Sequence, residues 1–189
     1  MADVRVSLPL TDDAVDSLRV GDSVSLSGEV FTARDAAHKR MVEALARGEP
    51  LPVDLRGQVI YYVGPTPARP GEVIGSAGPT TAVRMDPFTP SLLEAGLRGA
   101  IGKGGRGPEV REALLRHRAV YFLAVGGAGA LLSKRIRRVE TVAYDDLGTE
   151  AMRLMELDGF PALVCNDAHG GDLLEQGKAK FRRADVLER

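Results

Sequence analysis

Apolar residues recur at two different periods within the first fifty residues, and a chain that does so must build both strands and helices. Residues 4–8 read V-R-V-S-L and residues 24–26 read V-S-L, apolar at every second position as in half-buried strands that pair. From Ala33 the spacing changes. Ala33, Ala37, Met41 and Leu45 fall every fourth residue with charges between them, which predicts a helix over 33–47 stopped by Gly48 and Pro50. Ahead of it, Thr32-Ala33-Arg34-Asp35 fits the pattern of a hydroxyl capping a helix start and an acid three residues on.

Further along, Q-V-I-Y-Y-V at 58–63 is β-branched and aromatic, bounded by Gly57 and Gly64, and reads as a strand. Thr89 before Pro90 predicts a capped helix over 89–97, and Pro108 opens another to 117. The wholly apolar 119–125 reads as a buried strand, 126–134 as a helix start, and 141–144, 153–157 and 162–164 as strands. Two long segments, 64–87 and the glycine-rich 99–107, read as loops, and long loops in compact domains are often functional. With antiparallel-looking strands early and strand-helix alternation later, the expectation is one α/β domain over 1–189, with a mixed sheet and flanking helices.

Charge and cysteine usage narrow the function. There are 25 basic and 26 acidic residues, a net charge of -1, so no overall field draws the chain to nucleic acid or anionic lipid. The N-terminus has no leader-like pattern and no 18 apolar residues run together, so the expected location is cytoplasmic, without a membrane span. A lone Cys165 excludes an intrachain disulfide and a cluster held by several thiolates of this chain. His38, His117 and His169 lack any HxH or HExxH spacing, so no metal site is expected here. The basic stretch 178–183 reads as a solvated helix face.

Three constellations could carry chemistry. Arg34 sits in a helix's opening turn, where the macrodipole disfavours a cation. Either an anion binds there to the free N–H groups and the guanidinium, or Arg34 is a surface residue paired with Asp35 or Glu29. His38, one turn on, either shares that face or is structural. Gly78-Pro79-Thr80-Thr81-Ala82-Val83-Arg84-Met85-Asp86-Pro87 supplies hydroxyls, a cation and an acceptor suited to a small polar acid, or is simply a turn. Gly102-Lys103-Gly104-Gly105-Arg106-Gly107 matches G-x-G-x-x-G but lacks the acid expected about 20 residues on, so an anion cradle or a flexible turn remains. Cys165-Asn166-Asp167 with His169 lacks the further members of a nucleophilic site.

Taken in order, F-T-A-R-D-A-A-H-K-R at 31–40, G-P-T-T-A-V-R-M-D at 78–86, I-G-K-G-G at 101–105 and Y-F-L-A-V-G-G-A-G-A-L-L at 121–132 resemble the β subunit, or C-terminal domain, of class I iron-sulfur fumarases and L-tartrate dehydratases. E-T-V-A-Y-D-D-L-G-T-E-A at 140–151 and G-F-P-A at 159–162 extend the likeness. The resemblance implies a swivelling β/β/α domain and reversible hydration of fumarate to L-malate, a tricarboxylic acid cycle step. It also implies a 4Fe-4S cluster held by a cluster-bearing α subunit in a hetero-oligomer, with a homodimer as a further association. Alternatives are a tartrate or other hydroxy-diacid dehydratase, or a non-catalytic domain of the same fold. By motif, Arg34, Arg84 and Lys103 look like carboxylate clamps, with Thr81 beside them, and Thr80 like a hydroxyl near the proton transfer. His38 and Asp86 are read as supporting, Asp86 by orienting Arg84. The family usually has glycine where Val83 stands, and a β-branched residue resists positive φ, so a differently shaped loop is expected. The four main residues should share one open cleft.

Overall fold

The structure, a computed structural model, describes residues 4–182. Strand β1 (Val4–Leu8) buries Val6 and Leu8, and β2 (Ser23–Thr32) buries Val24, Leu26, Val30 and Thr32, the period of two carrying straight through Gly28. The two strands pair in parallel, not antiparallel, from Val4 with Val24 to Leu8 with Gly28. A short helix, α1 (Asp12–Ser17), makes the return possible. Thr11 caps it by accepting from Ala14 N at 3.2 Å, and Asp12 and Asp13 favour its positive end.

Helix α2 (Asp35–Ala46) begins two residues later than the spacing predicts, with Arg34 at its N-cap and no side chain capping it. Thr32 belongs to β2, where its hydroxyl accepts from Arg153 N at 3.0 Å. Strands β3 (Val59–Tyr61), β4 (Gly99–Gly102) and β5 (Val120–Leu123) follow in parallel register, with α3 (Thr89–Glu94) and α4 (Pro108–Arg116) between them. Residues 99–102 are therefore a buried strand rather than loop. Thr89 is not the cap of α3 either, since Phe88 holds that position.

After the short α5 (Gly129–Leu132), β6 (Ile136–Ala143) leads into β7 (Met152–Asn166), and α6 (Leu173–Phe181) follows. Strand β7 replaces the two strands expected at 153–157 and 162–164. Its extra residue beside Gly159 makes a bulge opposite β2 rather than a turn. Because β7 runs antiparallel to both β5 and β2, the order β2-β3-β4-β5-β7 closes on itself, with β1 and β6 added outside the ring. A mixed sheet with flanking helices is thus present, curled into a five-stranded barrel.

Alternation divides the core in two. Val24, Leu26, Tyr61, Ile101, Phe122 and Phe160 point to one cluster, and their neighbours Ile60, Tyr62, Ala100, Tyr121 and Cys165 pack with Met41, Leu92, Val110 and Leu114 of the helices. Both faces of β5 are covered, which explains its unbroken apolar run. The four strands β2 to β5 end at the same edge of the barrel, the place where parallel sheets gather ligand-binding loops.

Candidate functional site

Past Tyr62 the strands β3 and β4 part, and a segment of the long loop enters the gap. Thr80 N donates to Tyr62 O at 2.7 Å, Lys103 N donates to Thr80 O at 3.1 Å, and Ala82 N donates to Lys103 O at 2.9 Å. Residues 79–82 therefore act as an inserted length of strand that sets Thr80 beside Lys103. Only glycine fits at the end of β4: a Cβ on Gly102 would lie 2.9 Å from Tyr62 Cδ2 and 3.2 Å from both Ala82 Cβ and Tyr121 Oη.

The chain then makes a 3-10 turn, Ala82–Met85, burying Ala82 and Met85 and leaving Val83 and Arg84 outward. Positive φ outside glycine occurs, among the described residues, at Arg118 and Tyr144, so Val83 meets no strain of that kind. It stands 53% exposed on the rim next to Arg84.

Arg84 Nε donates to Asp35 Oδ1 at 2.9 Å, and Asp35 Oδ2 lies 3.9 Å from Arg34 Nη2. One carboxylate thus joins the two arginines. Arg34 Nη2 also lies 3.4 Å from Glu150 Oε1, whose other oxygen accepts from Ala36 N at 3.0 Å. A carboxylate of the protein itself occupies the anion position expected at the start of α2. Arg34 packs so closely over Gly64 that a Cβ there would lie 2.6 Å from Nη1.

His38 is fully buried beneath this layer, edge-on to Tyr62 with 5.2 Å between ring centroids. Its Nδ1 donates to Arg34 O at 2.9 Å, and burial holds its pKa down at about 4 against that bond and Asp35. It is neutral and structural at pH 7, holding the backbone of Arg34.

Asp86 does not orient Arg84. Its Oδ1 accepts from Arg106 Nε at 2.7 Å and its Oδ2 from Gly107 N at 2.6 Å, while Asp35 orients Arg84. Asp35, Glu150 and Arg106 went unrecognised as site residues in the sequence. Asp35 reads there as a helix-start acid and a surface partner of Arg34, Glu150 as one residue of a motif, and Arg106 as one residue of a glycine loop.

Thr80, Arg34 and Lys103 are half-buried and Thr81 and Arg84 exposed, so the group lies open to the surface at this edge. Lys103, its stem against Gly126 of the turn after β5, has no ion-pair partner among the described residues. Hollows of about 420, 480 and 710 Å³ lie elsewhere and are lined by none of Arg34, Thr80, Arg84 and Lys103.

Other nominated features serve structure. Cys165 is buried and its thiol is pushed up to about 11 by burial, while Asp167 accepts from Val20, His169 and Gly171 N–H groups to hold a turn. Among the described residues no three His, Cys, Asp or Glu side chains are grouped to hold a metal ion. Lys178 and Lys180 lie on the exposed face of α6, and Arg183 lies outside the described residues. No helix among those residues is long and apolar enough to cross a membrane.

A closed β/α barrel whose splayed parallel edge carries three cations defines an α/β domain with an anion-suited rim. The chain belongs to the Fumarase C-terminus family, which matches it over residues 1–177. It is 37% identical over 177 residues to a putative L(+)-tartrate dehydratase subunit beta of Methanocaldococcus jannaschii, covering 90% of this chain and 91% of that one. A putative fumarate hydratase class I of Geobacillus stearothermophilus is 36% identical, covering 91% of this chain and 34% of its own length. For fumarate hydratase 1, mitochondrial, of Leishmania major the identity is 40%, with 81% of this chain and 28% of that protein covered. The chain thus spans about a third or less of these fumarate hydratases and nearly the whole of the β subunit. The resemblance read from the sequence motifs is borne out.

Proposed function

We propose that this chain, acting as one domain over 1–189, is the β subunit of an iron-sulfur hydro-lyase that hydrates fumarate reversibly to L-malate in the cytoplasm. The observation that carries the reading is the inserted Thr80 segment, which sets Thr80 and Lys103 in one ladder and leads directly to Arg84, itself tied to Arg34 through Asp35. Arg34 and Arg84 offer planar N–H forks that match carboxylates, and Lys103, with no ion-pair partner among the described residues, adds a point charge. A diacid arriving at this edge competes with Asp35 and Glu150 for the two arginines.

In hydration, water's hydroxyl goes to one alkene carbon and a proton to the other, and negative charge grows on the adjoining carboxylate along the way. Cations fixed in place where that charge develops contribute a few kcal/mol each, about 3 kcal/mol by the precedent of single donors. Thr80, a weak base by itself, assists at the proton-transfer position, with Thr81 beside it as a further hydroxyl. The 4Fe-4S cluster belongs in this reading to a cluster-bearing α subunit, and the open edge is the face that subunit completes.

A second substrate, tartrate, is favoured by one observation: the match to a tartrate dehydratase β subunit runs nearly end to end. Turnover of fumarate and of tartrate by the assembled α and β chains under anaerobic conditions decides between them. Faster turnover of fumarate supports the first reading; tartrate alone being consumed replaces it with the second.

A further inference from the structure

We propose that Arg106 is the positioning residue of this edge, holding the turn that presents Thr80 and Arg84 in fixed register with the loop that presents Lys103. The proposal rests on the carboxylate-site reading above. The Arg106 side chain is 0% exposed, although it carries a full charge. Burial works against that charge, but Tyr62 and Asp86 more than compensate and raise its pKa.

Its planar fork reaches three separate segments. Nε donates to Asp86 Oδ1 at 2.7 Å, just after the Ala82–Met85 turn; Nη1 donates to Tyr62 Oη at 3.1 Å, just past β3; Nη2 donates to Thr89 Oγ1 at 2.6 Å, at the start of α3. The Tyr62 and Tyr121 rings flank the guanidinium at 5.4 and 5.0 Å. Thr89 passes the restraint back into the turn by donating to Met85 O at 2.8 Å. Lys103 stands three residues before Arg106 in the same loop, and Asp86 closes the connection by accepting from Gly107 N.

Stability alone does not call for such an arrangement, because a buried ion pair is commonly replaceable by well-packed apolar residues at little cost. What an apolar plug cannot do is fix directions. Three divergent hydrogen bonds from one rigid plane determine where the turn lies relative to the loop, and lysine has no such plane.

Two variants of the full chain test this. Arg106→Lys keeps the charge and loses the fork, while Asp86→Asn removes the opposing charge and sets an N–H donor against either Arg106 Nε or Gly107 N. By hydrogen exchange on the chain alone, the Ala82 and Lys103 amides should exchange roughly tenfold faster or more in both variants, with the amides of β5 unchanged. Unchanged exchange at Ala82 and Lys103, or uniform acceleration that includes β5, overturns the proposal.

In the assembled enzyme Arg106→Lys should lower kcat/KM for the diacid roughly tenfold or more, with kcat falling as well as KM rising. Placed in an Arg84→Ala background, it should add less than its separate loss, because part of its effect runs through Arg84, and a full independent loss overturns the positioning role. If the unaltered enzyme turns over no diacid, the functional reading fails by itself, and the exchange result still decides the role of Arg106.

Discussion

Arg34 is held from three sides, by His38 under its carbonyl, by Gly64 under its guanidinium and by Glu150 in front. The first two contacts each make a prediction. His38 stays neutral in the fold down to about pH 4, whereas the unfolded chain protonates it near its ordinary value of 6.5. Its contribution is therefore complete above pH 6.5 and lost as pH falls from there to about 4, a total of about 3 kcal/mol. His38→Asn should flatten the fall in denaturation midpoint across that window, and an unaltered slope would assign the loss to other groups. Gly64→Ala pushes on Nη1 and Cδ of one flexible side chain, so stability should change by less than about 1 kcal/mol while KM for the diacid rises several-fold. Equal KM values would show that the position of Arg34 is immaterial. Arg34, Thr80, Arg84 and Lys103 can be nominated from the sequence because each lies in a short motif. Their partners were not, because Asp35 meets Arg84 across 49 residues and Glu150 meets Ala36 across 114.

Strand β4 shows what element-level reading misses. Two of its four residues are glycine, which disfavours strands in isolation, and the requirement for Gly102 comes from Tyr62, Tyr121 and Ala82 on other elements. Gly102→Ala should cost about 1–3 kcal/mol of stability, read from urea midpoints, and should loosen the Thr80 and Lys103 ladder. A neutral result would mean that the neighbouring rings move aside freely. The parallel pairing of β1 with β2 was hidden for a different reason. Alternation reports which face is buried and nothing about direction, and the evidence for direction was α1, whose Thr11-Asp12-Asp13 start is short and easily passed over. Helix α2 and strands β3 and β5, long in period or rich in β-branched and aromatic residues, were legible nearly to their ends.

On the scale of the molecule, mixed α/β composition was readable from the change of period, but closure of the barrel was not. It depends on β7 pairing with both β2 and β5, contacts made between residues far apart in sequence. Closure brings the ends of β2, β3, β4 and β5 to one edge, and with them every cation the motifs nominated. Leu26, buried within that barrel, should cost about 2–5 kcal/mol on change to alanine, measured by chemical denaturation, with a smaller loss showing that the site collapses around the gap. Because the nominated residues stand on an open edge, the account makes this chain one half of a site. The most direct measurement is anaerobic fumarate hydration by this chain alone, by its cluster-bearing partner alone, by the two mixed, and by the mixture carrying Arg84→Ala. Activity confined to the unaltered mixture, with a loss of about a hundredfold or more in kcat/KM on removing Arg84, is the predicted result. Full activity of the partner alone, or of the mixture without Arg84, would contradict the claim that this edge supplies the carboxylate clamp.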